Sequence, residues 1–414
     1  MATIDPRERR AGIRQRLAWM ASRADLATAV GRRESGFLYR PRELVIDADH
    51  AEQLGDYLDE EFGAKEADGV PVHHDRKYGR RARQALDGLG LVHLELPDGL
   101  DVVRAVDLLR HAAAARGFRA DVSPNHAYVT DQNRHFWPAA LPEPTAAAVP
   151  SAEGDAGQGV VVGVLDTGVV RGAFDDRVRP DPNDYDPGVV GDVIENGQGG
   201  HGTFVAWQVL RVAPGATIDP EATCDGHGVT NDVEIAADLG EIGSRARIVN
   251  LSLGGYTQDN LPPPALARSL AACQARHGDD VVFVASAGND GTSQPSWPAA
   301  FKHVIAVAAV DRDRDPAPFS NHGSWVDCCA LGVDIDDFYV DGSLDLPDGT
   351  HRRFDGKARW SGTSFAAPRV SGAIAAKLAT GVTTSARVAA AMVLAEARHL
   401  PAPAHRSYGR FIAT

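Results

Sequence analysis

Cysteine, long apolar runs and excess positive charge are all scarce in this chain. The four cysteines, Cys224, Cys273, Cys328 and Cys329, have no disulfide-framework spacing, and adjacent cysteines rarely bridge each other. Reduced thiols in a cytoplasmic protein are therefore expected. Cys224 and His227 share one glycine loop, but two ligands do not make a zinc site. No apolar run reaches the roughly 18 residues of a membrane-spanning helix, so none is expected. The opening MATIDPRERRAGIRQRLAWMASR carries charges throughout and has no apolar core, unlike a secretory signal. Lys and Arg number 42 against 56 Asp and Glu, a net charge of −14, which argues against nucleic acid as a general partner. What is present is apolar material, 43% of the residues, enough for a large packed core in a chain long enough for two domains.

The most informative stretch is Gly362-Thr363-Ser364-Phe365-Ala366-Ala367-Pro368. Ser364 stands behind a small-residue turn and ahead of an Ala-rich run that reads as a buried helix. A serine there meets unpaired backbone N–H groups and the positive end of the helix dipole, which suits an oxygen passing through an anionic state. Taken alone, such a turn is also an ordinary helix cap. Two further segments argue for chemistry. GVVVGVLDTGV, residues 159–169, reads as a fully buried parallel strand ending at Asp166, and ligand sites of open α/β sheets lie at that end. Gly199-Gly200-His201-Gly202-Thr203 reads as a glycine turn opening a helix with His201 in its first turn. Each group alone has a structural reading; Asp, His and Ser in that order, each among small residues, are harder to dismiss.

The segments DTG at Asp166, HGT at His201 and GTS-x-A-x-P at Ser364 resemble the subtilisin-like serine proteases, the subtilase family. Ser252-Leu253-Gly254-Gly255 is similar to the family's substrate-binding edge, and Ala285-Ser286-Ala287-Gly288-Asn289 to the segment carrying its oxyanion-hole asparagine. The resemblance spans about residues 158–395. It implies Ser364 as nucleophile, His201 as general base and acid, Asp166 as the group that orients the imidazole, and Asn289 as oxyanion donor. It implies no metal and no cofactor. The acid-type sedolisin relatives replace the histidine with glutamate, and HGT is intact here. Ser252, Leu253 and Gly254 are expected to pair with an extended substrate as an added strand, and Ala287 and Gly288 to wall the primary pocket. Behind Asn289 the family's loop is shortened; Asp290 is expected at the pocket rim, or else as a solvated loop acid, and Ser296 near the floor.

The remaining sequence predicts four parts: a basic helical segment 1–35, a small α+β ferredoxin-like domain 36–132, a Pro/Ala-rich linker 133–157 and an α/β domain 158–414 with a mostly parallel sheet and helices on both faces. In the second part, RELVIDAD, GLVHLELPDG and FRADVSPNHAYV read as strands, HAEQLGDYLDEEFG and DVVRAVDLLRHAAAARG as helices, and YGRRARQALDG leaves room for a further strand. Subtilase propeptides resemble this module and end in a strand entering the active site, which VSPNHAYV resembles. The chain's own N-terminal domain is therefore expected as an intramolecular inhibitor. The insertion DIDDFYVDGSLDLPDGTHRRFDGKAR is acidic; its spacing fits no EF-hand, so a solvated β-hairpin shaping one rim of the cleft is expected, with calcium binding as the alternative. The functional expectation is a serine endopeptidase acting on protein or peptide substrates. The alternatives are a dedicated processing enzyme for one partner or leader peptide, and a catalytically silent peptide-binding module.

Overall fold

A computed structural model describes residues 23–30, 36–62, 78–96, 100–130, 141–242, 245–346, 349–400 and 407–414. The uncharged run before Asp166 is the strand Val161–Asp166. It belongs to a seven-stranded sheet ordered Arg410–Phe411, Cys328–Leu331, Val304–Val310, Val282–Ser286, Ala246–Leu251, Val161–Asp166 and Thr217–Ala222. Every neighbouring pair is parallel. Parallel strands need crossover connections, and the crossover helices cover both faces, which is why these strands are apolar throughout. Val162 and Val164 share a core with the helices His201–Val212 and Thr363–Ala379. Leu165, Leu251 and Phe283 point the other way, toward the helices Asp232–Glu241 and Pro264–Arg276. Gly163 sits on that second face because a Cβ there would lie 2.3 Å from Ile242 Cδ1. The expected α/β architecture is the one observed. All four cysteines are buried and unbridged.

Ahead of this domain lies a smaller antiparallel sheet. Its long strand Gly36–Asp47 pairs with Ala27–Val30, Leu91–Glu95 and Val122–Val129. Leu44 and Ile46 face one side, where Leu54 and Leu58 of helix Ala51–Phe62 and Val102, Val106 and Leu109 of helix Val102–Ala115 cover them. Asp101 caps the second helix, accepting the Arg104 N–H at 2.7 Å. Val45 faces the other side and shares a core with Val233, Ala237 and Ala265 of the large domain, so the small sheet docks by its second face. Two expectations are corrected. YGRRARQALDG forms a helix, Arg80–Gly88, instead of a strand; Ala82 and Leu86 are buried four residues apart, the spacing of a helix face. A strand, Ala27–Val30, sits inside the segment 1–35 read above as helical, and residues 1–22 of that segment lie outside the described residues.

The last strand of the small sheet is shared. Ala127, Tyr128 and Val129 pair antiparallel with Asn231, Thr230 and Val229 of the large domain. A buried polar cluster marks the join: the Glu43 carboxylate accepts from Tyr78 Oη and from Asn125 Nδ2, each at 2.7 Å. Of the linker, residues 141–157 are described and lie on the large domain, with Glu143 and Pro144 paired to Arg359 and Ala358. The acidic insertion is the expected hairpin, Ile335–Asp345 with His351–Trp360. It is less solvated than its composition suggests: Phe354 and Trp360 are wholly buried against Tyr339 and Phe204. Two of its acids pair with its arginines, Asp336 with Arg359 at 3.0 Å and Asp341 with Arg353 at 2.5 Å.

Candidate active site

Asp166 ends its strand at the carboxyl edge of the large sheet and is 1% exposed. Its Oδ1 accepts the Thr167 N–H at 2.8 Å and lies 2.7 Å from His201 Nδ1. His201 opens the helix His201–Val212, entered through Gly200 in the left-handed conformation at φ 80°. Gly202 lets that helix approach the aspartate strand, since a Cβ there would stand 2.2 Å from the Gly168 carbonyl oxygen. Trp360 meets the imidazole edge-on and Phe365 tilts against it, both at ring-centroid distances of 5.3 Å. Phe365 follows Ser364 directly, so the serine helix and the histidine helix are packed together at the site.

A residue not singled out from sequence joins the two loops. Asp186 Oδ2 accepts the Thr167 hydroxyl at 2.7 Å and the Gly200 N–H at 2.7 Å, while Thr167 Oγ1 accepts the Gly202 N–H at 3.0 Å. Burial pushes the Asp186 carboxyl up to about 6, its hydrogen bonds opposing the rise. Its only sequence signal is an aspartate in a loop, and its partners are brought near by the fold.

Ser364 is the second residue of the helix Thr363–Ala379. Its Oγ donates to the Thr130 carbonyl at 2.8 Å and lies 3.4 Å from the Ser252 carbonyl oxygen. Ser252 Oγ donates to the Ser364 carbonyl at 2.8 Å, locking the edge segment to the serine turn. Asn289 is held by its oxygen: Oδ1 accepts the Thr363 N–H and the Thr363 hydroxyl, each at 2.9 Å. Its Nδ2 is turned toward Gly362, where a Cβ would lie 3.7 Å away. The Thr363 hydroxyl also accepts the Gly288 N–H at 3.0 Å, so one threonine sets both the asparagine and the pocket wall.

The structure therefore brings Asp166 to His201, Ser252 to Ser364, and Asn289 to Thr363 beside that serine. It also seats a peptide segment against them. Val129 and Gly254 exchange backbone hydrogen bonds at 3.0 and 2.9 Å, and the Thr130 N–H reaches the Gly228 carbonyl at 2.9 Å. The segment ending at Thr130 thus runs between the Gly254 segment and the Gly228–Asn231 segment. The pocket residues divide. Leu253 and Ala287 are wholly buried, and Leu253 packs in one cluster with Tyr128 of the seated segment. Gly288 takes φ 100°, and a Cβ there would stand 2.4 Å from Asn321 Nδ2, another residue not singled out from sequence. Ser296 Oγ is wholly buried, 2.8 Å from where a Cβ on Gly254 would stand and 3.5 Å from one on Gly288, with no hydrogen-bond partner among the described residues. Asp290 is not a solvated loop acid. It is 4% exposed, and its Oδ2 accepts the Tyr256 hydroxyl at 2.6 Å, because Tyr256 and Asn321 fold over it. Among the described residues no group of three or more His, Cys, Asp or Glu is placed to hold a metal, and no helix is long and apolar enough to cross a membrane.

A model described as the subtilase family matches residues 157–409. Subtilisin BL of Lederbergia lenta is 33% identical over 233 residues, which cover 53% of this chain and 76% of that protein. A thermophilic serine proteinase of Bacillus sp. (strain AK1) is 33% identical over 260 residues, 55% of this chain and 53% of that one. The crystal structure of a lanthipeptide protease superposes with a TM-score of 0.51 at 22% identity, covering 62% of this chain and 88% of that one, and supports the fold.

Proposed function

Because this chain belongs to the subtilase family and is a serine-type endopeptidase, we propose that Ser364, His201, Asp166 and Asn289 carry its peptide-bond hydrolysis and that its N-terminal domain restrains it. The observation that carries the reading is the serine hydroxyl 2.8 Å from a carbonyl of a strand-paired segment. The hydroxyl donates to that carbonyl's oxygen, so the contact sets an extended backbone beside Ser364; attack needs the carbonyl carbon of a substrate, which backbone pairing on both sides of the groove would hold in place.

In the proposed cycle, His201 takes the Ser364 proton as the hydroxyl oxygen attacks the substrate carbonyl carbon. Asp166, bonded to Nδ1, keeps the other ring nitrogen available and stabilises the imidazolium. The oxyanion takes hydrogen bonds from Asn289 Nδ2 and the Ser364 N–H. The imidazolium then protonates the leaving amine, and a water repeats the sequence to free the acid. This chemistry needs no metal.

The restraint rests on the segment ending at Thr130, which occupies the place a substrate strand needs. A linked domain acts at high effective concentration, on the order of millimolar for short connections, so modest docking suffices to inhibit. Selection of one partner or leader peptide is a narrower form of the same reading. A fluorophosphonate probe tests the assignment: it should label the chain at Ser364, Ser364→Ala should abolish labelling, and His201→Ala should slow it by orders of magnitude. Full labelling of Ser364→Ala would sink the proposal.

A further inference from the structure

We propose that Asp232 is a specificity-determining carboxylate of the peptide groove, selecting substrates with tyrosine at the place now filled by Tyr128. This rests on the peptidase reading above and names the class of peptide that the site prefers.

Asp232 is the first residue of the helix Asp232–Glu241 and is 0% exposed. The helix does not need it as a cap, because Asn231 Oδ1 already accepts the N–H groups of Val233 and Glu234, at 3.0 and 3.2 Å. Its carboxylate turns instead to the groove. Oδ1 accepts the Tyr128 hydroxyl at 2.6 Å; Oδ2 accepts the His126 N–H at 2.9 Å and lies 3.0 Å from His126 Nδ1. All of these partners belong to the segment seated in the cleft, and no group of the large domain donates to this carboxylate among the described residues. A carboxylate kept for the large domain's own stability would bond within that domain. This one is completed by whatever peptide lies in the groove.

The groove is also shaped for the ring. Gly255 leaves room for it: a Cβ there would stand 2.9 Å from Tyr128 Cδ1 and 2.8 Å from the Ala127 carbonyl oxygen. Tyr128 is wholly buried in a cluster with Ile235, Leu253 and Trp297. Burial and the neighbouring carboxylate push the phenol well above its ordinary range, so it stays a neutral donor. Register fixes the position. Tyr128 lies opposite Thr230, and Val129 bridges Gly254. The tyrosine therefore precedes by two residues the carbonyl that faces Ser364 Oγ. Phenylalanine fills the apolar part and leaves Oδ1 without a donor. Lysine supplies a donor but strips its ammonium of water in an apolar pocket. Tyrosine satisfies both demands.

The test uses the full chain and fluorogenic peptides copying residues 122–136, with Tyr, Phe, Leu or Lys at the place of Tyr128. A site built to hydrogen-bond a hydroxyl rejects the analogue lacking it, so kcat/KM for the Tyr peptide should exceed that for the Phe peptide by at least about tenfold. Because the chain's own segment competes equally with every peptide, the ratio is independent of the restraint. In Asp232→Ala the Tyr-to-Phe ratio should fall to near unity. A wild-type ratio of one or less, or a preference for Lys over Tyr, overturns the proposal even if Asp232→Ala does not fold. A ratio unchanged in a folded Asp232→Ala chain also overturns it. Failure of the peptidase reading is separately visible as absent fluorophosphonate labelling. Binding of the same peptides to the Ser364→Ala chain, read by fluorescence anisotropy, then decides the tyrosine preference without turnover.

Discussion

Ser364 Oγ and the carbonyl oxygen of Thr130 are hydrogen-bonded at 2.8 Å across 234 positions of sequence. The serine that opens the helix Thr363–Ala379 thereby meets the residue that follows the strand Val122–Val129 of the small sheet. Thr130 is held on its other side by its N–H to the Gly228 carbonyl.

Replacing Thr130 with proline removes that N–H at the end of the strand, where the sheet tolerates the change best. The variant should hydrolyse a small chromogenic peptide several-fold faster than the parent, and its fluorophosphonate labelling should quicken in step. Equal or slower rates in a folded Thr130→Pro chain would show that the segment does not restrain the enzyme.

Asn289→Ala should lower kcat by about 10²–10³ with little change in KM, the signature of a donor that acts only on the transition state. Thr363→Val should do part of the same damage, since it removes the hydroxyl that bridges Asn289 Oδ1 and the Gly288 N–H. A KM effect alone in both variants would assign them to substrate binding instead.

Glu221 offers a test of stability against pH. It is 8% exposed on the edge strand of the large sheet, and burial, then Asp184 and Asp219, push its carboxyl up to about 8. Between the ordinary glutamate range and pH 8 the folded chain holds a proton that the unfolded chain does not. Stability from this group is thus full below the ordinary range and lost as pH rises through 8. Glu221→Gln should melt higher than the parent at pH 9, by roughly 1–3 kcal/mol in stability, and the two should converge near pH 4. A gap that does not change with pH would remove the carboxyl as its cause.

The meeting of Asp166 and His201 was legible because the turns that bring them together tolerate few residue types. DTG, HGT and the serine turn are short, and each glycine or hydroxyl in them answers a local demand, as Gly202 does for the Gly168 carbonyl. The parallel strands were legible as apolar runs for a similar reason, burial on both faces. Helix Arg80–Gly88 was not, since only Ala82 and Leu86 of its residues are buried and most of the others are charged or polar. That Asp290 is buried was not legible, because what covers it, Tyr256, comes from a distant segment. Asp186 and Asp232 escaped notice on the same ground: an aspartate in a loop or at a helix start looks ordinary until the fold shows who donates to it.

The shared strand Val122–Val129 also gives the molecule a direction in time. While both domains are joined, each covers a row of backbone donors and acceptors that the other would otherwise leave open. Once the connection is cut and the halves separate, the small sheet carries a bare edge at Ala127–Val129, the kind of surface that recruits stray strands and proteases. A freed fragment with that edge would be open to proteolysis and self-association, both of which compete with its return. Activation by severing the chain would behave as a ratchet, and the number of active molecules would count past cleavage events instead of tracking the present level of the signal.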